Sequence, residues 1–133
     1  MSMNRSMPPG VMIPEIPYVH IVEAADWLCR AFGFKKHLQI GDHRVQLVFG
    51  DGSVVAIQGN DPNPSCSVMV HVADVNGLYE QAKSMGAETV NMPTDYPFGE
   101  RQCTLRDPGG HRWTFSQTIA DVDPGTWGGI LFE

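Results

Sequence analysis

The sequence predicts an α+β protein built from one β-α-β-β-β module used twice. Residues 18–34 (YVHIVEAADWLCRAFGF) and 69–87 (MVHVADVNGLYEQAKSMGA) share one pattern. An alternating apolar strand carries a histidine, His20 or His71, and meets an acidic residue, Glu23 or Asp74. An apolar stripe at helical spacing follows and stops at Gly33 or Gly86. The histidines stand 51 positions apart, and a two-residue gap in the helix aligns the copies. Each copy is then extended by strand-like runs separated by turn signals. A repeat of this size marks a supersecondary unit, and strands with one helix per unit give the α+β class.

Residues 1–13 are rich in Met and Pro and are expected to be disordered at their start. The first strand is expected over 14–21. Alternation puts Ile16, Tyr18 and His20 on one side and Pro17, Val19 and Ile21 on the other. Pro14 and Pro17 cannot donate to a ladder, so the entry should be kinked or poorly paired. A helix follows over about 23–32, with Trp27, Leu28, Ala31 and Phe32 as its stripe and Gly33 as a left-handed cap. Lys36–Ile40 and Arg44–Phe49 are strands split by Gly41-Asp42, and Gly50-Asp51-Gly52 turns the chain into Ser53–Gln58.

Residues 59–66 (GNDPNPSC) read as the linker. The second module opens with Ser67, Met69 and His71 opposite Val68, Val70 and Val72, a valine side that calls for a helix. Asp74 suits the cap of that helix. Glu88–Val90 starts a strand, residues 93–99 (PTDYPFG) form a loop, and Arg101–Arg106 and Arg112–Ser116 flank the turn 107–110. The tail ends in Trp127, Ile130, Leu131 and Phe132, which are costly in water and should dock on their own domain or on a second chain. One domain is expected over 1–133, with modules at about 14–59 and 67–118 and a tail over 119–133.

The chain has 133 residues, 42% hydrophobic and 18% charged, which suits a globular domain with a real core. A net charge of −6 gives nucleic acid no electrostatic footprint. No apolar run approaches the ~20 residues that cross a bilayer, and MSMNRSMPPG lacks the apolar core of a secretory leader. A cytoplasmic protein is expected. Cys29, Cys66 and Cys103 have no C-x-x-C spacing, so reduced thiols are expected rather than a disulfide framework or a zinc knuckle.

The runs IPYVHI…WLCRAFGF and RDPGGHRWTF, in tandem modules, resemble the vicinal-oxygen-chelate superfamily. This group holds glyoxalase-like enzymes, ring-cleaving dioxygenases and bleomycin-resistance proteins. The resemblance is greatest to its PhnB-like, glyoxalase-like subgroup. It covers roughly residues 14–124, including ADVDPGTW. RDPGGHRW is a fold signature and not a reaction signature. The resemblance implies modules set edge to edge, their strands curled into an incompletely closed mixed sheet around a cavity, with helices outside. The apolar sides (Val19/Ile21, Val45/Leu47, Val68/Val70/Val72, Trp113/Phe115) would then pack on helices. The mixed sides (Tyr18/His20, Arg44/Gln46, Ser67/Met69/His71, Arg112/Thr114/Ser116) would line the cavity.

Metal-using members take a histidine from the first strand of each module and a glutamate from the last. Carried over, the histidine places hold Ile16 and Ser67. The glutamate places hold Ala56 or Gln58, and Thr114. None is a good ligand for zinc, iron or nickel. No metal or other cofactor is expected, and a divalent metal enters only if the ligands are displaced. His20 and His71 take equivalent repeat positions and are the catalytic candidates, as general bases or as cavity polarity. A metal would need a third strong ligand beside them; Glu15 and Glu100 are acidic, but Glu15 has the wrong strand parity.

His37 and His43 sit beside turns, and His111 belongs to the fold signature. No G-x-S-x-G elbow, phosphate loop or dinucleotide fingerprint occurs, and the spacing of Cys66 or Cys103 to His71 gives no support to a thiol–imidazole pair. Arg44 and Arg112 have the parity to meet a ligand carboxylate, or pair internally with residues such as Asp42. The ligand-binding candidates are Tyr18, Arg44, Gln46, Met69, Tyr96, Phe98, Arg112 and Thr114. Tyr18, Tyr96, Phe98 and Trp127 can flank a flat ligand, the Tyr96–Phe98 loop is a lid candidate, and Trp27, Phe32, Trp113 and Phe115 read as core.

The functional expectation is a metal-free protein that sequesters an aromatic or amphipathic compound, as bleomycin-resistance relatives do. The alternatives are a glyoxalase-like lyase or dioxygenase with displaced metal ligands, a metal-independent isomerase or lyase using a cavity histidine as base, and a non-catalytic binding subunit or regulator. A homodimer is expected, since two-fold dimers are the commonest oligomers and the tail needs a partner surface.

Overall fold

A computed structural model describes residues 4–60 and 67–132. Both expected β-α-β-β-β modules are present, each with its own four-stranded mixed sheet that does not close on itself. The described residues fall into two compact units: 4–60 with the turn 108–110, and 67–107 with 111–132.

In the first unit β1 (Glu15–Tyr18) leads into α1 (Ile21–Phe32), then β2 (Lys35–Ile40), β3 (Arg44–Phe49) and β4 (Gly52–Gln58). The sheet order is β1-β4-β3-β2, with β1 parallel to β4. Gly33 ends α1 at φ 84°, a left-handed conformation that a side chain would strain. There the Gly33 N–H donates to Cys29 and the Phe34 N–H to Leu28. The register aligns Ile16 with Ala56, Ala56 with Val45, and Val54 with Leu47. These residues and Tyr18 form one buried face, which meets Ile21, Ala25, Leu28, Ala31 and Phe32 of α1.

Tyr18 therefore lies on the helix side, contrary to the expected alternation, and Glu15 shares the opposite side with Val55 and Gln46. The reason is the junction. The strand stops at Tyr18 and the helix starts at Ile21, so strand alternation does not run through His20.

The side of this sheet away from α1 is covered by residues 4–13; the start of this segment, residues 1–3, lies outside the described residues. Gln46 Nε2 donates to the Ser6 carbonyl (2.9 Å), and Ser53 Oγ to the Pro9 carbonyl (2.5 Å). His37 Nε2 lies 3.0 Å from the Arg5 carbonyl oxygen. Side-chain donors on the sheet supply the partners that this Pro-broken segment lacks in a ladder.

In the second unit β5 (Ser67–His71) leads into α2 (Val75–Ser84), β6 (Glu88–Asp95), β7 (Glu100–Arg106) and β8 (Arg112–Thr118), in the order β5-β8-β7-β6. Asp74 caps α2 as expected: its Oδ1 accepts the Gly77 N–H (3.1 Å), while Gln117 Oε1 accepts that of Val75 (2.9 Å). Trp113, Phe115, Cys103 and Leu105 are buried with Val75, Tyr79 and Ala82 of α2, so alternation holds in this module. The strand β6 runs past Pro93 to Asp95, farther than its composition indicates. Proline is tolerated because β6 is an edge strand whose pairing with β7 is irregular. A 3-10 helix, Pro124–Trp127, follows the sheet, and Ile130, Leu131 and Phe132 are exposed.

The first helical residues, Ile21 and Val75, stand 54 positions apart. His20 thus corresponds to Asp74, not to His71. This corrects the 51-residue alignment of the two histidines.

The buried Asp107 carboxylate accepts the His111 backbone N–H (2.9 Å) through Oδ1 and the Trp113 Nε1–H (3.0 Å) through Oδ2. His111 is buried beside it, in keeping with a structural role. Asp107→Ala strands both donors, at ~1–3 kcal/mol each. Urea denaturation should show a loss of about 2–6 kcal/mol, and an unchanged midpoint would refute the assignment.

Candidate functional site

The sequence-selected residues fall into separate places. Tyr18 and His20 border a cleft of about 570 Å³ between β1 and α1 in the first unit. Tyr18 is 4% exposed and Trp27 is nearly as buried, so each shows the cleft only part of its ring. His20 stands at the N-terminus of α1 without a side-chain capping bond, exposed, with Nδ1 3.5 Å from Glu23 Oε2. Trp27, read from sequence as core, also packs edge-on against Phe32 (5.0 Å).

Arg44 and Gln46 lie on the other side of that sheet. They line a depression of about 340 Å³ beside Ser6, Met7, Pro8 and Ile13. Arg44 pairs with Glu15 at 2.7 Å rather than with Asp42. Gln46 is committed through its Nε2 to the Ser6 carbonyl.

Met69, His71, Arg112 and Thr114 share the side of the second sheet away from α2. Met69 aligns with Thr114 and His71 with Ser116. Met69 is 63% exposed, and His71 and Arg112 are exposed too. The Thr104 and Thr114 hydroxyls share a hydrogen bond (2.9 Å). Next to them runs a chain that the sequence reading missed. Gln102 Nε2 donates to Ser116 Oγ (3.0 Å), and Ser116 Oγ donates to Glu100 Oε1 (2.6 Å). The Thr118 hydroxyl also bonds Glu100, and His71 Nε2 lies 3.0 Å from Thr118 Oγ1. The signal was the alternation of β7, which puts Glu100 and Gln102 on the face of Ser116 and Thr118.

Tyr96 and Phe98 stack at 5.4 Å with planes 9° apart, and Trp127 packs on Phe98 at 5.4 Å. Gly99 ends this loop at φ 88°, where a Cβ would run into the Ala120 carbonyl oxygen. Arg101 and Arg106 pair with Asp95 and Glu88. His43 is exposed. Burial pushes the Cys29 thiol up and that of Cys103 up to about 11, so neither is an activated nucleophile. Cys66 lies outside the described residues.

The superfamily's metal is a poor fit to these side chains. Because α1 opens at His20, counting seven back from its cap reaches Ile13 rather than Ile16; neither isoleucine ligates. Ser67 and Thr114 offer only neutral hydroxyls. Among the described residues no three of His, Cys, Asp and Glu gather as a metal would require.

A profile of the Glyoxalase/Bleomycin resistance protein/Dioxygenase superfamily matches residues 14–115. The chain belongs to this superfamily. Among solved structures it resembles TioX from Micromonospora sp. ML1, at 32% identity and a TM-score of 0.70, over 86% of this chain and all of that one. It also resembles TnmS3, an antibiotic binding protein from Streptomyces sp. CB03234, at 22% identity and a TM-score of 0.69, over 89% of this chain and 98% of that one. At that identity TnmS3 shows the fold alone. An uncharacterized Mycobacterium bovis protein is 26% identical over 86 residues, 65% of this chain and 55% of its own length. The chain spans about half the length of the curated relatives it matches.

The Ser116 hydroxyl, followed by that of Thr118 and the charge of His71, holds the Glu100 carboxyl below the usual carboxylate range. A folded-state pKa below the unfolded one stabilises at neutral pH, and the stabilisation fades as pH falls through the folded value. In Ser116→Ala the Glu100 carboxyl should titrate nearer its ordinary pH in a carbon-13 NMR titration. An unmoved midpoint would contradict the assigned cause.

Proposed function

We propose that the chain is a metal-free small-molecule-binding protein that holds an aromatic or amphipathic compound on the mixed face of the second sheet and sequesters it. The observation carrying this reading is the face itself. Met69 offers an exposed thioether, which adapts its shape to apolar ligands. Thr114, Thr104 and Gln102 offer hydrogen bonds, and Arg112 a cation. The Tyr96–Phe98 pair of the same unit offers aromatic surface to a flat ligand. Hydroxyls replace chelators at Ser67 and Thr114, which favours binding over metal chemistry. The antibiotic binding of TnmS3, whose fold this chain shares, supports the same reading.

Within the superfamily, FGF at 32–34 and RDPGGHRW at 106–113 favour the PhnB-like subgroup. The exposed Ile130, Leu131 and Phe132 favour a homodimer. Among the described residues no helix is long and apolar enough to cross a membrane, and a cytoplasmic site of action completes the proposal.

Thermal shift of the purified protein against a library of planar aromatic compounds tests the reading. A compound at a hundred times its Kd adds about 2.7 kcal/mol of stability. At least one compound should stabilise the protein, equally with and without EDTA, and Thr114→Leu should weaken it. A library without hits, or hits that vanish with EDTA, would sink the proposal.

A second reading rests on the His71–Thr118–Glu100 chain, which orients an imidazole as a carboxylate orients a general base. In that case the protein is a metal-independent isomerase or lyase. His71→Ala would then abolish turnover of a stabilising compound, followed by mass spectrometry, while leaving its Kd within about twofold. A compound that stays chemically unchanged with wild-type protein excludes this reading.

A further inference from the structure

The two modules differ in the side chains that border the first-unit cleft. The 54-residue alignment pairs Tyr18 with Val72, Ala24 with Leu78 and Trp27 with Gln81. The buried helix positions agree under it, Ile21 with Val75 and Ala25 with Tyr79, so the register is sound. Where the second module has aliphatic Val72 and polar Gln81, the first has two aromatic rings. Where the second has leucine, the first has alanine.

The outcome is a cleft of about 570 Å³, inside the ~300–1,000 Å³ range of drug-sized ligand sites. Tyr18, Trp27, Ala24 and Pro17 make a largely apolar wall, and His20, Glu23, Arg30 and Asn60 supply polar groups at its edge. Val19 stands at its border, 52% exposed and costly in water unless something covers it.

We infer that the β1–α1 cleft of the first unit is a second ligand site, for a planar aromatic compound with a polar end. A flat ring meets the accessible parts of the indole and phenol, and the polar end stays among His20, Glu23, Arg30 and Asn60. The site is separate from the second-sheet face and stands whether or not that face binds a ligand.

The test uses full-length protein and 8-anilinonaphthalene-1-sulfonate, an aromatic probe with one polar end, followed by its fluorescence. Ala24→Leu restores the second module's residue and should weaken binding at least about tenfold. Val19→Asp, at an exposed position off the core, should produce a comparable loss. Met92→Ala, exposed and outside the cleft's lining, should bind as wild type does. Wild-type affinity in Ala24→Leu overturns the inference. So does loss on Thr114→Leu without loss on Ala24→Leu, an outcome that leaves the second-sheet proposal standing.

Discussion

Each module must turn from a parallel strand into a helix within two or three residues, and that junction governs the side chains around it. The chain goes from Tyr18 to Ile21 in one copy and from His71 to Val75 in the other. The strands pair in parallel with β4 and β8, so each helix has to lie back over its own sheet. The first helical residue is then driven inward, and Ile21 and Val75 are both buried. Once that position is set, the last strand residues have no freedom. Tyr18 points toward α1, and His71 points away from α2.

This junction also separates what could be read from the residues and what could not. The tandem architecture was legible because glycine and turn signals recur at the same places in both copies. Alternation was legible in the second module, where Val68 and Val70 or Trp113 and Phe115 make the inner side plain. It failed in β1, a four-residue strand with a proline in it, where one added residue reverses the assignment. The two histidines drew the copies into a false register because histidine is conspicuous and a capping position is not. The Glu100–Ser116–Thr118–His71 chain escaped notice because its members come from three strands and meet only when the sheet forms. Trp27 was assigned to the core from its stripe, and it is buried, but one edge borders open space.

Chemically the modules have diverged more than their folds. The second carries the hydrogen-bonded polar face, with a carboxylate held ionised by hydroxyl donors and a histidine at the end of the chain. The first carries the aromatic cleft, and its own polar face lies beneath residues 4–13. Hydroxyls and aliphatic side chains stand where metal-using relatives place chelators.

The manner in which residues 4–9 are fastened has its own consequence. The anchors contributed by this stretch are the carbonyls of Arg5, Ser6 and Pro9, and the donors belong to the sheet. A main-chain oxygen is the same whatever residue bears it. These bonds therefore constrain side-chain identity weakly at Arg5, Ser6 and Pro9, whereas Pro8 is buried and Asn4 accepts the Ser6 N–H through its side chain. Gln46 and Ser53, which do the holding, have no such latitude.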